Sequence, residues 1–169
     1  MRHSRAILAI GLIVCPVGLA QADDAPACAE FSWFVARERT AFAAPDLLAL
    51  ESGSALPDST GALRLKLKPA SDVTLPVPSE KAMKPGTFSG FVTATVPATG
   101  TYQVTLSDEG WVDVSQDGRT TLKATAHSGK VGCPGIRKSL RFALTPGTVT
   151  IEISRAPGPQ ITLGLLKAK

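Results

Sequence analysis

Four carboxylates fall within ten residues, at Asp108, Glu109, Asp113 and Asp117, and calcium takes oxygen ligands of this kind, six to eight at a time. Their spacing does not match an EF-hand loop. Val112 and Val114 flank Asp113, and in a strand those valines point to the face opposite Asp113, which sets it apart from Asp108. A calcium site is one expectation; turn residues on a solvated face are the alternative, and no other cofactor is implied. His127 cannot by itself supply the imidazoles that zinc or copper sites take. As a general base it needs a nucleophile within reach, and Ser128, Ser139 and a reduced Cys133 are the nominal choices. No Gly-x-Ser-x-Gly, His-Glu-x-x-His or phosphate-loop pattern occurs, so binding is expected ahead of catalysis.

Residues 127–138, HSGKVGCPGIRK, gather three glycines, Cys133 and the cations Lys130, Arg137 and Lys138 beside His127. Loops carried on a rigid scaffold are where binding residues concentrate, and these cations suit an acidic ligand or partner. Trp111 and Tyr102 offer aromatic faces for a sugar, or else belong to the core. His127 to Lys138 therefore forms one candidate binding set, and Trp111 with Tyr102 a second.

The elements that must position these residues are short. Residues 31–42 place Phe31, Phe34, Val35 and Phe42 on one approximate helical face, with Arg37, Glu38 and Arg39 on the other, and Pro45 ends the run. Leu47, Leu48 and Leu50 suggest a further helical turn before a loop over 52–61. After Gly61 the period becomes two: Leu63, Leu65 and Leu67 alternate with Arg64, Lys66 and Lys68, a half-buried strand. A proline-punctuated stretch through Pro69, Pro76, Pro78 and Pro85 follows, with Val73 and Leu75 as an expected short edge strand. Residues 88–96, 102–106, 111–114, 140–144, 149–153 and 161–165 read as further strands. Turn residues separate them, Asp117-Gly118 being a type I′ hairpin signal. No helical pattern intervenes after residue 61, which argues against parallel βαβ units and for an antiparallel, jelly-roll-like β-sandwich with a short N-terminal helix.

Composition agrees. The chain has 169 residues, 44 % of them hydrophobic and 19 % charged, with 15 Gly and 13 Pro; that is enough apolar content for a packed core and too much punctuation for a helix bundle. Residues 1–22 form a secretory signal pattern: Arg2 and Arg5, an apolar run from Ala6 to Val14, and Ala20-Gln21-Ala22 before an expected cleavage after Ala22. The run is too short to span a bilayer. Its removal takes two arginines and lowers the formal charge from +4 to +2, which gives no basic face for nucleic acid. It also removes Cys15, leaving Cys28 and Cys133 as an even pair for one disulfide in an oxidising compartment. The expected organisation is a signal over 1–22, a helical segment and loop over 23–60, and a β-sandwich body over 61–169, in a periplasmic or secreted protein without a transmembrane segment.

Residues 86–154 resemble the carbohydrate-associated β-sandwich domains of the PA14 type. The resemblance is carried by Phe88-Ser89-Gly90-Phe91, Gly100-Thr101-Tyr102-Gln103-Val104, Ser107-Asp108-Glu109-Gly110, Val112-Asp113-Val114, Asp117-Gly118, and Leu144-Thr145-Pro146-Gly147 before Val149-Thr150-Ile151-Glu152-Ile153. It implies a sandwich architecture. In the glycan-binding members adjacent aspartates hold calcium and a sugar; here the pair is Asp108-Glu109. The expected function is an exported, non-catalytic binding or accessory module for a glycan-like ligand. The alternatives are a structural protein that recognises another exported protein and a calcium-dependent module; oligomeric state is left open by the residues.

Overall fold

The computed structural model describes residues 25–58 and 61–169, and the signal expected over 1–22 lies outside them. Two short helices, α1 (Pro26–Ala29) and α2 (Ala36–Phe42), precede ten strands: β1 (Ala49–Glu51), β2 (Ala62–Lys66), β3 (Lys68–Pro69), β4 (Phe88–Val96), β5 (Gly100–Leu106), β6 (Trp111–Ser115), β7 (Ala126–Gly129), β8 (Lys138–Leu144), β9 (Gly147–Ala156) and β10 (Gln160–Lys167). They form a six-stranded sheet in the order β1-β2-β10-β5-β8-β7 and a four-stranded sheet in the order β3-β4-β9-β6. All pairings between these strands are antiparallel except β1 with β2.

The period-two pattern carries directly into the packing. Leu63 and Leu65, Val104 and Leu106, Val112 and Val114, Ile151 and Ile153, and Phe142 and Leu144 meet between the sheets, while Arg64 and Lys66 face water. Alternation of this kind is what puts one face of each strand into a shared core. No helix among the described residues is long and apolar enough to cross a membrane.

One side of the sandwich is closed by the chain itself. Only Leu67 separates β2 in one sheet from β3 in the other. Residues 53–56 run on from β1 to the β4 edge, where Gly53 N–H donates to the Phe91 carbonyl at 2.8 Å and Leu56 N–H to the Thr93 carbonyl at 2.7 Å. On the opposite side the two sheets end in β6 and β7, joined by residues 116–125.

The outer faces are also covered. The helical segment lies on the six-stranded sheet, where Phe42 comes so close to Gly164 that a Cβ there would sit 2.9 Å from Phe42 Cε1. Beneath it runs a polar chain. Glu38 Oε1 accepts from Gln103 Nε2 at 2.8 Å, Gln103 Oε1 accepts from Arg141 Nε and Nη2 at 3.0 and 2.8 Å, and the Arg141 guanidinium lies 4.3 Å from the Trp33 ring centre. A disulfide joins Cys28 to Cys133 and, with Phe31, Val35 and Ile136, forms a second small apolar cluster.

Several expected elements take a different form. The helix read over 31–42 begins only at Ala36, because the preceding residues spend their donors on the sheet: Ser32 N–H goes to Ser128 Oγ at 3.0 Å and Trp33 Nε1 to Ser139 Oγ at 3.3 Å. Phe34, placed on the expected apolar face, is 98 % exposed. The turn at Leu47, Leu48 and Leu50 is not helical; it leads into β1, which pairs with β2. Val73 and Leu75 form no strand. They begin a strap, residues 73–87, that crosses the outer face of the four-stranded sheet. Asp117-Gly118 is not a type I′ turn, which needs positive φ at both residues; only Gly118 has it, at +65°. The stretch 127–138 is not wholly a loop, since His127 lies in β7 and Lys138 opens β8.

Candidate ligand-binding cleft

The open side between β6 and β7 holds a cleft of about 650 Å³, lined by Glu80, Glu109, Trp111, Val112, residues 122–124, residues 127–129, residues 137–140 and Phe142. Its position follows from the topology. Both strands are sheet edges, and the 116–125 crossing, hydrogen-bonded through Leu122 N–H to the Val114 carbonyl at 2.7 Å, leaves the space behind it unfilled. Leu122, Leu140, Phe142 and Val112 give an apolar floor continuous with the core.

Four of the six binding candidates meet here. Trp111 opens β6 half-buried; its Nε1 donates to Asp113 Oδ1 at 2.9 Å, and the Lys81 ammonium stands 5.1 Å from its ring centre, within the range of a cation–π contact. His127 projects from β7, exposed, and its imidazole has no hydrogen-bond partner among the described residues. Arg137 is ion-paired with Glu109 on the rim. Lys138 donates to the Gly110 carbonyl, and burial pulls its pKa below the ordinary lysine value, with Glu109 acting in the opposite direction.

Two candidates lie elsewhere. Tyr102 is buried between the sheets and its hydroxyl donates to the Ala98 carbonyl at 2.8 Å, so it is a core residue and offers no sugar platform in this cleft. Lys130 pairs with Glu30 at 3.1 Å and ties the β7–β8 connection to the end of α1.

The four carboxylates of the acidic stretch do not converge. Asp108 accepts the Glu109 N–H at 2.7 Å, and Glu109 is engaged by Arg137. Asp113 is sealed under the strap, where Ser79 Oγ donates to its Oδ2 at 2.6 Å. Asp117 organises its own turn, accepting Arg119 N–H and Thr120 N–H, each at 2.8 Å, and Thr120 Oγ1 at 2.7 Å; these bonds hold its carboxyl well below the usual carboxylate range. Among the described residues no group of three or more His, Cys, Asp or Glu side chains is arranged to hold a metal ion.

Sequence reasoning missed the wall made by the strap. Glu80 lines the cleft and accepts from Thr121 Oγ1 at 3.0 Å, and Lys81 covers the indole. It also missed Glu152, the β9 partner of Asp113, whose Oε1 accepts Val77 N–H at 2.8 Å. Its signal was a lone acid between Ile151 and Ile153, which alternation assigns to the outer face; nothing local says that a strap buries that face.

No protein-family model matches the chain, and no characterised protein matches it in sequence. Among solved structures, the pre-peptidase C-terminal domain of a collagenase from Bacillus anthracis matches over 71 % of this chain and 94 % of that one, at 9 % identity and a TM-score of 0.38. A cycloisomaltooligosaccharide glucanotransferase from Paenibacillus sp., solved with cycloisomaltoheptaose, matches over 50 % of this chain and 13 % of that one, at 20 % identity and a TM-score of 0.30. Neither similarity reaches the level from which a shared family follows, and the sandwich assignment rests on the strand pairing itself.

Proposed function

We propose that this chain is an exported, non-catalytic binding module that takes a glycan in the cleft between β6 and β7. One observation carries the reading: Trp111, His127, Arg137 and Lys138, each a candidate on chemical grounds, line a single amphipathic cleft. An indole beside aliphatic groups and hydrogen-bonding side chains suits a sugar ring, which has an apolar face and a polar edge. The PA14-type likeness of residues 86–154 bears on this only through the sandwich architecture.

The non-catalytic part is supported by the state of the nominal nucleophiles. Ser128 Oγ accepts Ser32 N–H, Ser139 Oγ lies 2.8 Å from Thr105 Oγ1 and accepts Trp33 Nε1, and Cys133 is in the disulfide. Export is supported by the signal pattern over 1–22 and by a disulfide that suits an oxidising compartment. On this reading the mature protein starts at Asp23, with the helical segment over 23–60 stapled to the body over 61–169.

A second reading, recognition of another exported protein, is favoured by Phe34 and Val131, 98 % and 79 % exposed on the two segments that the disulfide joins. The two readings separate in one experiment. In an NMR titration with neutral and acidic oligosaccharides, the glycan reading expects shifts in the Trp111 indole N–H and the β7 and β8 amides, and about fivefold weaker binding in Trp111→Ala, since one aromatic contact is worth roughly 1 kcal/mol. Oligosaccharides that leave those resonances unmoved would sink it.

A further inference from the structure

Resting on that reading, we infer that the cleft recognises its glycan through a carboxylate seated on Lys138, which makes the ligand an acidic saccharide built from uronic acid units. Lys138 breaks the alternation of its strand. On β8 the inward series is Lys138, Leu140, Phe142 and Leu144, whose last three members pack in the core; Ser139 and Arg141 face the opposite way, under the helical segment. Lys138 therefore stands on the core side of its strand, at the mouth of the sandwich, where an apolar residue would continue the floor.

Its ammonium is poorly compensated there. Its hydrogen bond goes to a neutral acceptor, the Gly110 carbonyl, and among the described residues no carboxylate lies within ion-pairing distance of it. An ammonium has three donors, so two N–H groups remain for solvent or an incoming ligand. A partly desolvated cation in this state gains more from an incoming anion than a surface lysine does; the depressed pKa reflects the same loss of water.

The other charges in the cleft are accounted for. Arg137 and Glu109 form an ion pair, and Glu80, Lys123 and His127 are exposed to solvent at the rim. The uncommitted interior charge is thus a single positive one. One compact ammonium with two free donors matches one carboxylate, whereas a doubly charged phosphate calls for more donors or a guanidinium fork. Trp111 and Leu122 beside it supply the surface for the ring that bears the carboxylate.

The test is calorimetric titration of the full chain with a trigalacturonate and with the neutral trigalactoside of the same linkage. The expected result is a preference of about tenfold or more for the acidic trimer, the size of one charge-assisted hydrogen bond, falling as salt is raised. Lys138→Met removes the preference while keeping the affinity for the neutral trimer, and Lys138→Arg keeps most of it; circular dichroism establishes that both variants fold. Equal affinity of the wild type for both trimers overturns the inference and leaves the glycan reading standing. A preference that survives in folded Lys138→Met also overturns it. Binding of neither trimer overturns both.

Discussion

Asp113 on β6 and Glu152 on β9 are direct cross-strand partners, 3 % and 2 % exposed, on a sheet face that alternation would send to water. The strap seals them. Val77 N–H and Ser79 Oγ dock on one carboxylate each, and Trp111 completes the contact from the cleft side. Glu152 Oε2 finds no partner among the described residues. Burial therefore pushes the Glu152 carboxyl up to about 7; the neighbouring Asp113 charge adds to the shift and the Val77 N–H opposes it.

A pH dependence of stability follows. The unfolded Glu152 titrates near 4.5 and the folded one near 7, so between those values the folded protein binds the extra proton. This stabilisation is complete below the unfolded value and is lost as pH rises through about 7. Asp117 acts in the opposite sense at the acid end, where its depressed pKa makes the folded state lose stability as pH falls below the ordinary carboxylate range. Urea unfolding at pH about 5.5 and about 8.5 should show the wild type weaker at the higher value. Glu152→Gln should flatten that difference and raise the midpoint at the higher pH; an undiminished fall in the variant would assign the effect to another group.

Removing the disulfide tests how far the helical segment depends on its staple. Cys28 and Cys133 are 105 residues apart, and closing a loop of that size stabilises by about 4–5 kcal/mol in the chain-entropy limit, with 2–4 kcal/mol typical of measurement. The double variant Cys28→Ser/Cys133→Ser should lose about 2–4 kcal/mol in denaturant unfolding while keeping the β-type circular dichroism spectrum, because the main core contains neither cysteine. Collapse of the β spectrum would show that the sandwich cannot stand without the staple.

The contact of Phe42 with Gly164 makes a third prediction. A methyl at residue 164 would sit 2.9 Å from the Phe42 ring, so Gly164→Ala should cost about 1–3 kcal/mol through overpacking. Adding Phe42→Leu should recover part of that loss, since the smaller side chain makes room. A thermal midpoint for Gly164→Ala equal to that of the wild type would mean that α2 is not pressed on β10.

Much of the sandwich is legible locally. Period-two alternation gives β4 its bounds and locates β5, β6, β8, β9 and β10 within a few residues, because a strand with one dry face must repeat its apolar residues every second position. Where alternation breaks, the reading fails. Ala126-His127-Ser128-Gly129 has no apolar series and becomes a strand only because β8 offers it an edge to pair with. The buried outer face that includes Gln103, Thr105 and Ser139 resembles a solvated one until the helical segment is laid on it.

The amino-acid sequence by itself determined the class of fold, the cysteine pair and the chemical types available for binding, because these depend on the spacing of neighbouring residues and on composition. Tertiary structure decided which of those types meet. It carried Tyr102 into the core, turned Lys130 toward Glu30, dispersed the acidic cluster, and brought Trp111 from one sheet to within one cleft of His127, Arg137 and Lys138 from the other. Strand order and the closure of one sandwich side are set by contacts between residues far apart in the chain, and no local pattern encodes them.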